Sequence, residues 1–174
     1  LGHDIKGEYP VEELLEQLHS KKITAVASGR AEFGPRALGN RSILADPRGD
    51  DVKERVNSIK HRESFRPFAP SILREHASEY FEGRTGDFMQ YVSRCRHADR
   101  FPAIVHYDNT SRVQTVPRDS ESGLRKLLER WYADTGCPML LNTSLNIKGE
   151  PLVNTRPDAK RWSEKYGVKV CLPN

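Results

Sequence analysis

Cysteine is scarce in this 174-residue chain, and its pattern excludes two common kinds of site. Only three cysteines occur, far apart and without a Cys-x-x-Cys pair, so neither a disulfide framework nor a zinc ribbon is indicated. The six histidines show no His-x-His or His-x-x-x-His spacing. We therefore expect reduced thiols, as in a cytoplasmic protein, and no metal site built by this chain.

Long apolar runs and the common nucleotide-binding signatures are missing as well. No apolar stretch approaches the roughly 18 residues that span a bilayer, and no basic-then-apolar leader opens the chain. We therefore expect neither a membrane anchor nor secretion. The patterns GxxxxGK[ST] and GxGxxG are both absent. No Ser–His–Asp order, carboxylate pair or catalytic cysteine stands out, which argues against an enzyme with its own covalent nucleophile.

Positive charge is present in excess, and it is concentrated in one window. The net charge is +4, and residues 29–66 hold nine Lys and Arg against six Asp and Glu. A dense cationic window on a chain of this size favours an anionic partner, which could be a phosphate, a nucleotide or a nucleic acid.

Apolar periodicity predicts one mixed α/β (α+β) domain over residues 1–174. The predicted helices cover residues 10–21, 50–60, about 74–82, 122–136 and 155–167. The predicted strands cover residues 23–28, 42–46, 88–95, 103–108, 112–117, 138–144 and 168–172. Because Pro67 and Pro70 cannot lie inside a helix, residues 61–73 are predicted to be extended.

The stretch GRAEFGPRALGNRS, residues 29–42, is the first candidate site. It has three evenly spaced glycines, and its arginines include Arg36, which lies between two of them, and Arg41, which follows the last. Glycine lets the backbone approach a ligand closely, and the arginine fork matches phosphate oxygens. The residues alone leave two interpretations equally open, a phosphate cradle and a surface turn with solvated arginines.

Two further stretches are candidates. Lys60, Arg62 and Arg66 lie at even offsets, so an extended backbone would place all three on one face. Either an anion neutralises them or they form a solvated basic face. In LLNTSLNIKGEP, residues 140–151, Asn142, Ser144 and their polar neighbours follow a buried strand, and the pattern alone favours turn capping over ligand binding.

Four segments together resemble a known family. They are FGPRALGNRSILADPR (33–48), KHRESFRPFAPSIL (60–73), RVQTV (112–116) and LLNTSLNIKGEP (140–151). In order and spacing they are similar to the C-terminal domain of the NodU/CmcH/TobZ family of O-carbamoyltransferases. The resemblance implies a YrdC-like twisted mixed sheet flanked by helices. It also implies that the N-terminal transfer domain, which carries the family's metal-binding histidines, is absent from this chain.

The resemblance assigns roles to particular residues. The KxR motif of YrdC-type domains corresponds to Lys60 and Arg62, and the SxN motif to Ser144 and Asn146. The predicted catalytic residues are Lys60, Arg62 and Arg112. The predicted substrate-binding residues are Arg36, Lys60, Arg66, Arg112, Asn142, Ser144 and Asn146. Arg41 and Arg48 lie in the matching stretch, and for them site and structural roles both stay open.

The function that the resemblance implies is formation of carbamoyl adenylate from carbamoyl phosphate and MgATP. The intermediate would pass to the N-terminal carbamoyl-transfer domain, where an acceptor hydroxyl is carbamoylated. The alternative is a basic YrdC-like module that binds double-stranded RNA or tRNA. Nucleic acid is the less favoured partner because few aromatic residues alternate with the arginines and no RNA-binding motif is visible. A structural lobe without nucleotide affinity is the third possibility.

Overall fold

A mixed β-sheet with helices packed on it forms the centre of the molecule. The computed structural model describes residues 3–174. Its strands are β1 (Asp4–Ile5), β2 (Ile23–Ala27), β3 (Gly29–Arg30), β4 (Arg41–Ala45), β5 (Ala69–Leu73), β6 (Phe81–Glu82), β7 (Val92–Cys95), β8 (Thr110–Arg112), β9 (Gln114–Val116), β10 (Met139–Ser144) and β11 (Val170–Cys171). Its α-helices are α1 (Val11–Lys21), α2 (Asp51–Ile59), α3 (Ala77–Tyr80), α4 (Gly123–Thr135) and α5 (Arg156–Tyr166).

The main sheet has the strand order β11-β2-β4-β10-β5-β9. The β11–β2 and β5–β9 pairs are parallel, and the three pairs between them are antiparallel. A three-stranded sheet, β6-β7-β8, and the short pair β1-β3 complete the structure. The predicted α/β class with a mixed sheet is therefore confirmed.

The residues of β10 show how the sheet divides the core. Successive side chains of a strand point to opposite faces. Leu140 packs in a cluster with Leu128 of α4 and Leu14 of α1, whereas Met139 and Leu141 belong to the cluster on the other face. Burial of each such side chain contributes about 1.5–3 kcal/mol. Further along β10, on the face of Leu140, the apolar side chains give way to polar ones.

Most predicted helices are confirmed, with end signals that the sequence contains. The α4 helix begins after Ser122, whose Oγ accepts a hydrogen bond from the backbone N–H of Arg125. The α5 helix begins after Thr155, which forms a reciprocal capping box with Asp158. Both helices end at a glycine in the left-handed conformation, as C-terminal glycines commonly do.

Two predicted extended segments are wrong. Residues 61–66 form a turn because His61 adopts a positive φ of 51° after α2, and the N–H of Arg62 bonds back to the carbonyl of Asn57. The strand begins only at Ala69. Residues 103–108 form no strand, because a 3-10 helix covers Pro102–Ile104 and a turn closed by His106 follows it. Proline supplies the φ angle that such a short helix needs.

Other boundaries differ from prediction in smaller ways. The helix expected near 74–82 is a 3-10 turn followed by α3, and the chain then extends into β6. Only the second half of 88–95 is a strand, because Met89 has a φ of 55°. Residues 112–117 are divided between two sheets, with β8 ending at Arg112 and β9 starting at Gln114. Sequence pattern does not identify the two-residue strands β1, β3 and β6, which are too short to show a period.

Candidate functional site

The loop that joins β3 to β4, residues 31–40, carries the first group of predicted site residues. Gly34 and Gly39 adopt φ values of 136° and 121°, which side chains other than hydrogen rarely allow. At Gly39 a Cβ would come within 2.9 Å of the Cβ of Leu124. The tip of the loop is open, and Phe33 there is 94% exposed. Spaced glycines are therefore required by the course of this loop.

Arg36 and Arg112 lie together at a cleft of about 340 Å³ beside this loop. Burial and the nearby Arg36 guanidinium lower the pKa of Arg112 from its ordinary value. In the described part of the chain neither arginine forms an ion pair. Two like charges without a counter-charge repel each other, and a bound anion would remove that repulsion.

A buried polar network lies behind the same loop. Asn142 of β10 donates through Nδ2 to the carbonyl of Ala37 at 3.2 Å, and to Ser71 Oγ and Gln114 Oε1 at 3.0 Å each. Gln114 Nε2 in turn donates to the carbonyl of Leu38 at 3.2 Å. Asn142 Oδ1 is buried without a partner among the described residues. The network fastens the loop of Arg36 to the strand that follows Arg112.

Lys60 is the centre of the second group. Its ammonium donates to the carbonyls of Ser144 and Asn146 at 2.6 and 3.0 Å, and to Ser144 Oγ and Asn146 Oδ1, both at 3.2 Å. The side chain is buried, and all four acceptors are neutral. Burial, followed by the charges of Arg62 and Arg66, lowers the pKa of Lys60 to about 7. The KxR and SxN segments therefore meet directly, and Ser144 and Asn146 do more than cap a turn.

The two neighbouring arginines are held in different ways. Arg62 donates from Nε to Asn57 Oδ1 at 2.6 Å, and its guanidinium lies 4.2 Å from the ring centroid of Phe68. Burial and Arg66 lower the pKa of Arg62 to about 10. Arg66 is about half exposed, and its only ion pair among residues 3–174 is a loose one with Glu63 at 3.6 Å. The three cations do come together, but through a turn and not through a shared strand face.

Strand β10 contacts both groups of predicted site residues. Asn142 supports the loop of Arg36, and Ser144, two residues further on, accepts from Lys60. Residues two apart on a strand share a face and lie about 7 Å apart. Asn142 and Ser144 are therefore neighbours on the polar end of the face that carries Leu140.

Arg41 and Arg48, whose roles the sequence left open, have structural contacts. The guanidinium of Arg41 is fully buried and donates to five backbone carbonyls, those of His3, Ser28, Gly29, Asn40 and Asn154. Arg48 forms a two-point ion pair with Asp46 and lies 5.5 Å from the ring of Trp131. The Arg41 guanidinium is not available to a ligand in this arrangement, and the partly exposed Arg48 guanidinium is paired with Asp46.

Sequence reasoning missed two residues that the structure places in the same region. Glu32 accepts hydrogen bonds through Oε1 from the N–H groups of Leu38 and Asn40, at 2.9 and 2.5 Å. Gln114 bridges the loop to Asn142, as described above. One signal for each was visible. Glu32 is the only acid in residues 29–42, and Gln114 is a large polar residue within an otherwise strand-like run.

Residues 3–174 contain neither a metal-ligand cluster nor a helix suited to crossing a membrane. Within that range, no three His, Cys, Asp or Glu side chains gather as they would around a metal ion. None of the helices there has the length and apolar character needed to cross a bilayer.

Comparison with known proteins places the chain in a family. The family model described as "Carbamoyltransferase C-terminus" matches residues 15–172. Nodulation protein NolO of Bradyrhizobium diazoefficiens is 50% identical over 138 residues, which cover 75% of this chain and 25% of that protein. Nodulation protein U of Rhizobium tropici is 40% identical over 153 residues, covering 86% and 27%.

A third relative has an enzymatic name. The 3'-hydroxymethylcephem-O-carbamoyltransferase of Amycolatopsis lactamdurans is 38% identical over 158 residues, which cover 90% of this chain and 30% of the enzyme. The chain thus spans between a quarter and a third of the length of these three relatives. Because the family model covers nearly all of it, the chain belongs to the carbamoyltransferase C-terminal family.

Proposed function

We propose that this domain binds carbamoyl phosphate and MgATP and forms carbamoyl adenylate. One observation carries the proposal. Arg36 and Arg112 line a cleft whose lining has no carboxylate, and we take Lys60 with its two arginine neighbours, paired with Glu63 alone among the described residues, as the other part of the same site. Such a site stabilises polyanions, and both substrates are polyanions. The cephem relative, whose name gives carbamoyl transfer as its activity, supports the carbamoyl part of the proposal.

The proposed reaction has two steps. Water hydrolyses carbamoyl phosphate to carbamate and phosphate, and an oxygen of the carbamate attacks the α-phosphorus of ATP. A new C–O–P linkage forms while the bond to pyrophosphate breaks, so the products are carbamoyl adenylate, phosphate and pyrophosphate. Negative charge grows on the leaving pyrophosphate. Positioned cations are the expected catalytic groups for such a step, and no protein nucleophile is required.

The residues divide into roles according to their surroundings. We assign Lys60, Arg62 and Arg112 to stabilising the charge that develops on the phosphates. Arg36 and the more exposed Arg66 bind the substrates' phosphate oxygens. Ser144 and Asn146 hold the Lys60 ammonium and supply neutral contacts to substrate. Asn142 is included as a substrate-binding residue because its buried Oδ1 has no partner in the described structure.

Magnesium fits this site as part of its substrate. No cluster of three ligating side chains exists in residues 3–174 to hold the ion. Mg²⁺ is usually held by one or two carboxylates together with the phosphates of a nucleotide. We therefore propose that it enters bound to ATP and shields the phosphate charge there.

The proposed partner is an N-terminal transfer domain, supplied by the same polypeptide or by another chain. The relatives are three to four times longer than the region they share with this chain. Phe33 and Phe88 line the cleft of Arg36 and are 94% and 63% exposed. Exposed aromatic side chains at a site entrance are typical of interfaces. A domain seated there would cover the cleft and receive the adenylate for transfer to an acceptor hydroxyl.

Pyrophosphate release tests the proposal directly. The chain is incubated with MgATP and carbamoyl phosphate, and with each alone. Pyrophosphate that requires both substrates supports adenylate formation, and the Arg36→Ala and Lys60→Met variants should lose it. Saturable binding of either substrate without turnover would support the site and assign turnover to the joined domains. If the chain shows neither binding nor turnover, the proposal is refuted and the structural lobe remains as the interpretation.

RNA binding is the second candidate, and one feature of the structure favours it. A groove of about 1270 Å³ carries Arg66, Arg94 and Arg96, and the exposed aromatics Phe65 and Tyr107 line it. Arginines beside exposed rings suit stacked bases. A titration of double- and single-stranded RNA over a range of salt concentrations tests this reading. Affinity that falls steeply and linearly in log–log form supports an RNA contact, and no measurable affinity at low salt excludes it.

A further inference from the structure

Side chains on two sides of the Arg36 loop form hydrogen bonds with the backbone of the residues that follow the arginine. On one side, the Glu32 carboxylate accepts from the N–H groups of Leu38 and Asn40. On the other, Asn142 and Gln114 donate to the carbonyls of Ala37 and Leu38. The Ala37–Leu38 peptide group therefore has both its donor and its acceptor occupied. The tip before Arg36, by contrast, is exposed.

These contacts connect the loop to β9, the strand that begins two residues after the second arginine, Arg112. Gln114 follows Arg112 by two residues, and Gln114 Oε1 accepts from both Asn142 and Ser71. Ser71 lies on β5, which pairs with β9 in parallel. A displacement of Leu38 relative to Gln114 would therefore change the separation of Arg36 and Arg112. Two guanidinium groups that must share one anion need that separation fixed.

The Glu32 carboxylate forms hydrogen bonds with the backbone of the loop and not with the arginines of the cleft. The nearby Arg36 guanidinium and burial account for the lowered pKa of Arg112, and Glu32 does not contribute to it. Burial lowers the pKa of Arg41, an effect that Glu32 opposes, and burial raises the pKa of Tyr9, an effect to which Glu32 adds. Its second oxygen, Oε2, is buried without a partner in residues 3–174. The arrangement holds the loop while leaving Arg36 and Arg112 free for a ligand.

We infer that Glu32 and Gln114 are positioning residues, which set the spacing of Arg36 and Arg112 and thereby the affinity of the site for a phosphate-bearing substrate. The inference rests on the proposed function of the cleft as a phosphate site. It assigns neither residue a contact with substrate. Loss of the hydrogen bonds made by Glu32 or by Gln114 should weaken anion binding, because Arg36 could then move away from Arg112.

The test is a double-mutant cycle with pyrophosphate as the probe, measured by calorimetry on the 174-residue chain. Glu32→Ala should lower the affinity by about 10-fold or more, approaching the effect of Arg36→Ala. The double variant Glu32→Ala/Arg36→Ala should be no weaker than Arg36→Ala alone, because Glu32 acts through Arg36. Glu32→Gln retains the oxygen that accepts the two N–H bonds and should restore affinity to within about 3-fold of wild type.

Controls separate positioning from simple loss of stability. Glu75 forms an ion pair with Arg125 away from the cleft, so Glu75→Ala should lower the melting temperature without changing pyrophosphate affinity in the folded range. Gln114→Met preserves side-chain length without hydrogen bonds, and it should weaken binding even if Glu32→Ala does not fold. Unchanged affinity in Gln114→Met and in a folded Glu32→Ala, or fully additive losses in the double variant, would overturn the inference. No pyrophosphate binding by wild type would instead refute the phosphate site itself.

Discussion

Anion binding at this site should be coupled to the uptake of a proton by Lys60. The Lys60 ammonium is buried among four neutral oxygens and beside two arginines, and its pKa is lowered from 10.5 to about 7. Above pH 7 the free side chain is therefore mostly neutral. A phosphate placed beside it favours the charged form and raises the pKa again. The bound state thus holds a proton that the free state has lost.

The magnitude follows from the size of that shift. If the anion restores the pKa of Lys60 to its ordinary 10.5, affinity falls by up to about tenfold for each pH unit above 7. Between pH 7 and pH 8.5 the expected loss is about 15-fold. Folding stability depends on pH in the opposite direction to anion affinity. The unfolded chain binds more protons at this lysine between pH 7 and 10.5, so its contribution to stability rises with pH and falls as pH drops through 7. Weaker binding at pH 8.5 would therefore not reflect unfolding caused by Lys60.

Calorimetry in two buffers of different ionisation enthalpy measures the proton directly. At pH 8, binding of pyrophosphate to wild type should be accompanied by the uptake of close to one more proton than binding to Lys60→Met. The difference between the two variants cancels the contribution of the ligand's own ionisation. Lys148→Met is the matched control, because Lys148 is an exposed lysine paired with Glu63. Equal proton uptake in wild type and Lys60→Met, with both binding measurably, would refute the reasoning.

Three further predictions use the same chain. Arg36→Ala and Arg112→Ala should each weaken substrate use about 10- to 100-fold with little change in the free energy of unfolding. Replacement by lysine should rescue activity only partly, since lysine cannot make a two-point contact. Unchanged kinetics in both alanine variants would remove the two arginines from the site. Arg41→Ala should cost about 3–5 kcal/mol of stability in chemical denaturation, because it leaves buried carbonyls without a donor; a loss below about 1 kcal/mol would contradict this. Gly39→Ala should cost at least about 1 kcal/mol more than Gly149→Ala, since both have positive φ but only Gly39 meets a neighbouring side chain, and equal melting temperatures would contradict that.

The parts of the fold that the sequence predicted well are those with strong local signals. The helix at 122–136 has an apolar stripe, an N-terminal serine cap and a terminal glycine, and α4 matches it closely. The buried strand at 138–144 has an unbroken apolar run, and β10 follows it. The segments at 61–66 and 103–108 failed because positive φ at His61 and a 3-10 turn after Phe101 carry no periodic pattern.

For the candidate site too, some features follow from the sequence and others only from the structure. Residue type and order alone located the cationic segments, but they left an anion site and a solvated basic surface equally open. The resemblance assigned Arg36 to the site, but the sequence left the role of Arg41 open, although the two arginines lie five residues apart in one motif. Arg36 lines an open cleft, and Arg41 is fully buried against backbone carbonyls. That difference depends on how the loop folds back over the sheet.

The sequence by itself determined the charge, the chemical types at the site and the alternation that places Asn142 and Ser144 on one face of a strand. Only the tertiary structure decided that Lys60 would be enclosed by the Ser144 and Asn146 segment, more than 80 residues away in the chain. It also recruited Glu32 and Gln114 to hold the loop of Arg36. The physical reason is that burial and hydrogen-bond partners arise from contacts between distant segments, and these contacts set the pKa of Lys60 and the spacing of the arginines.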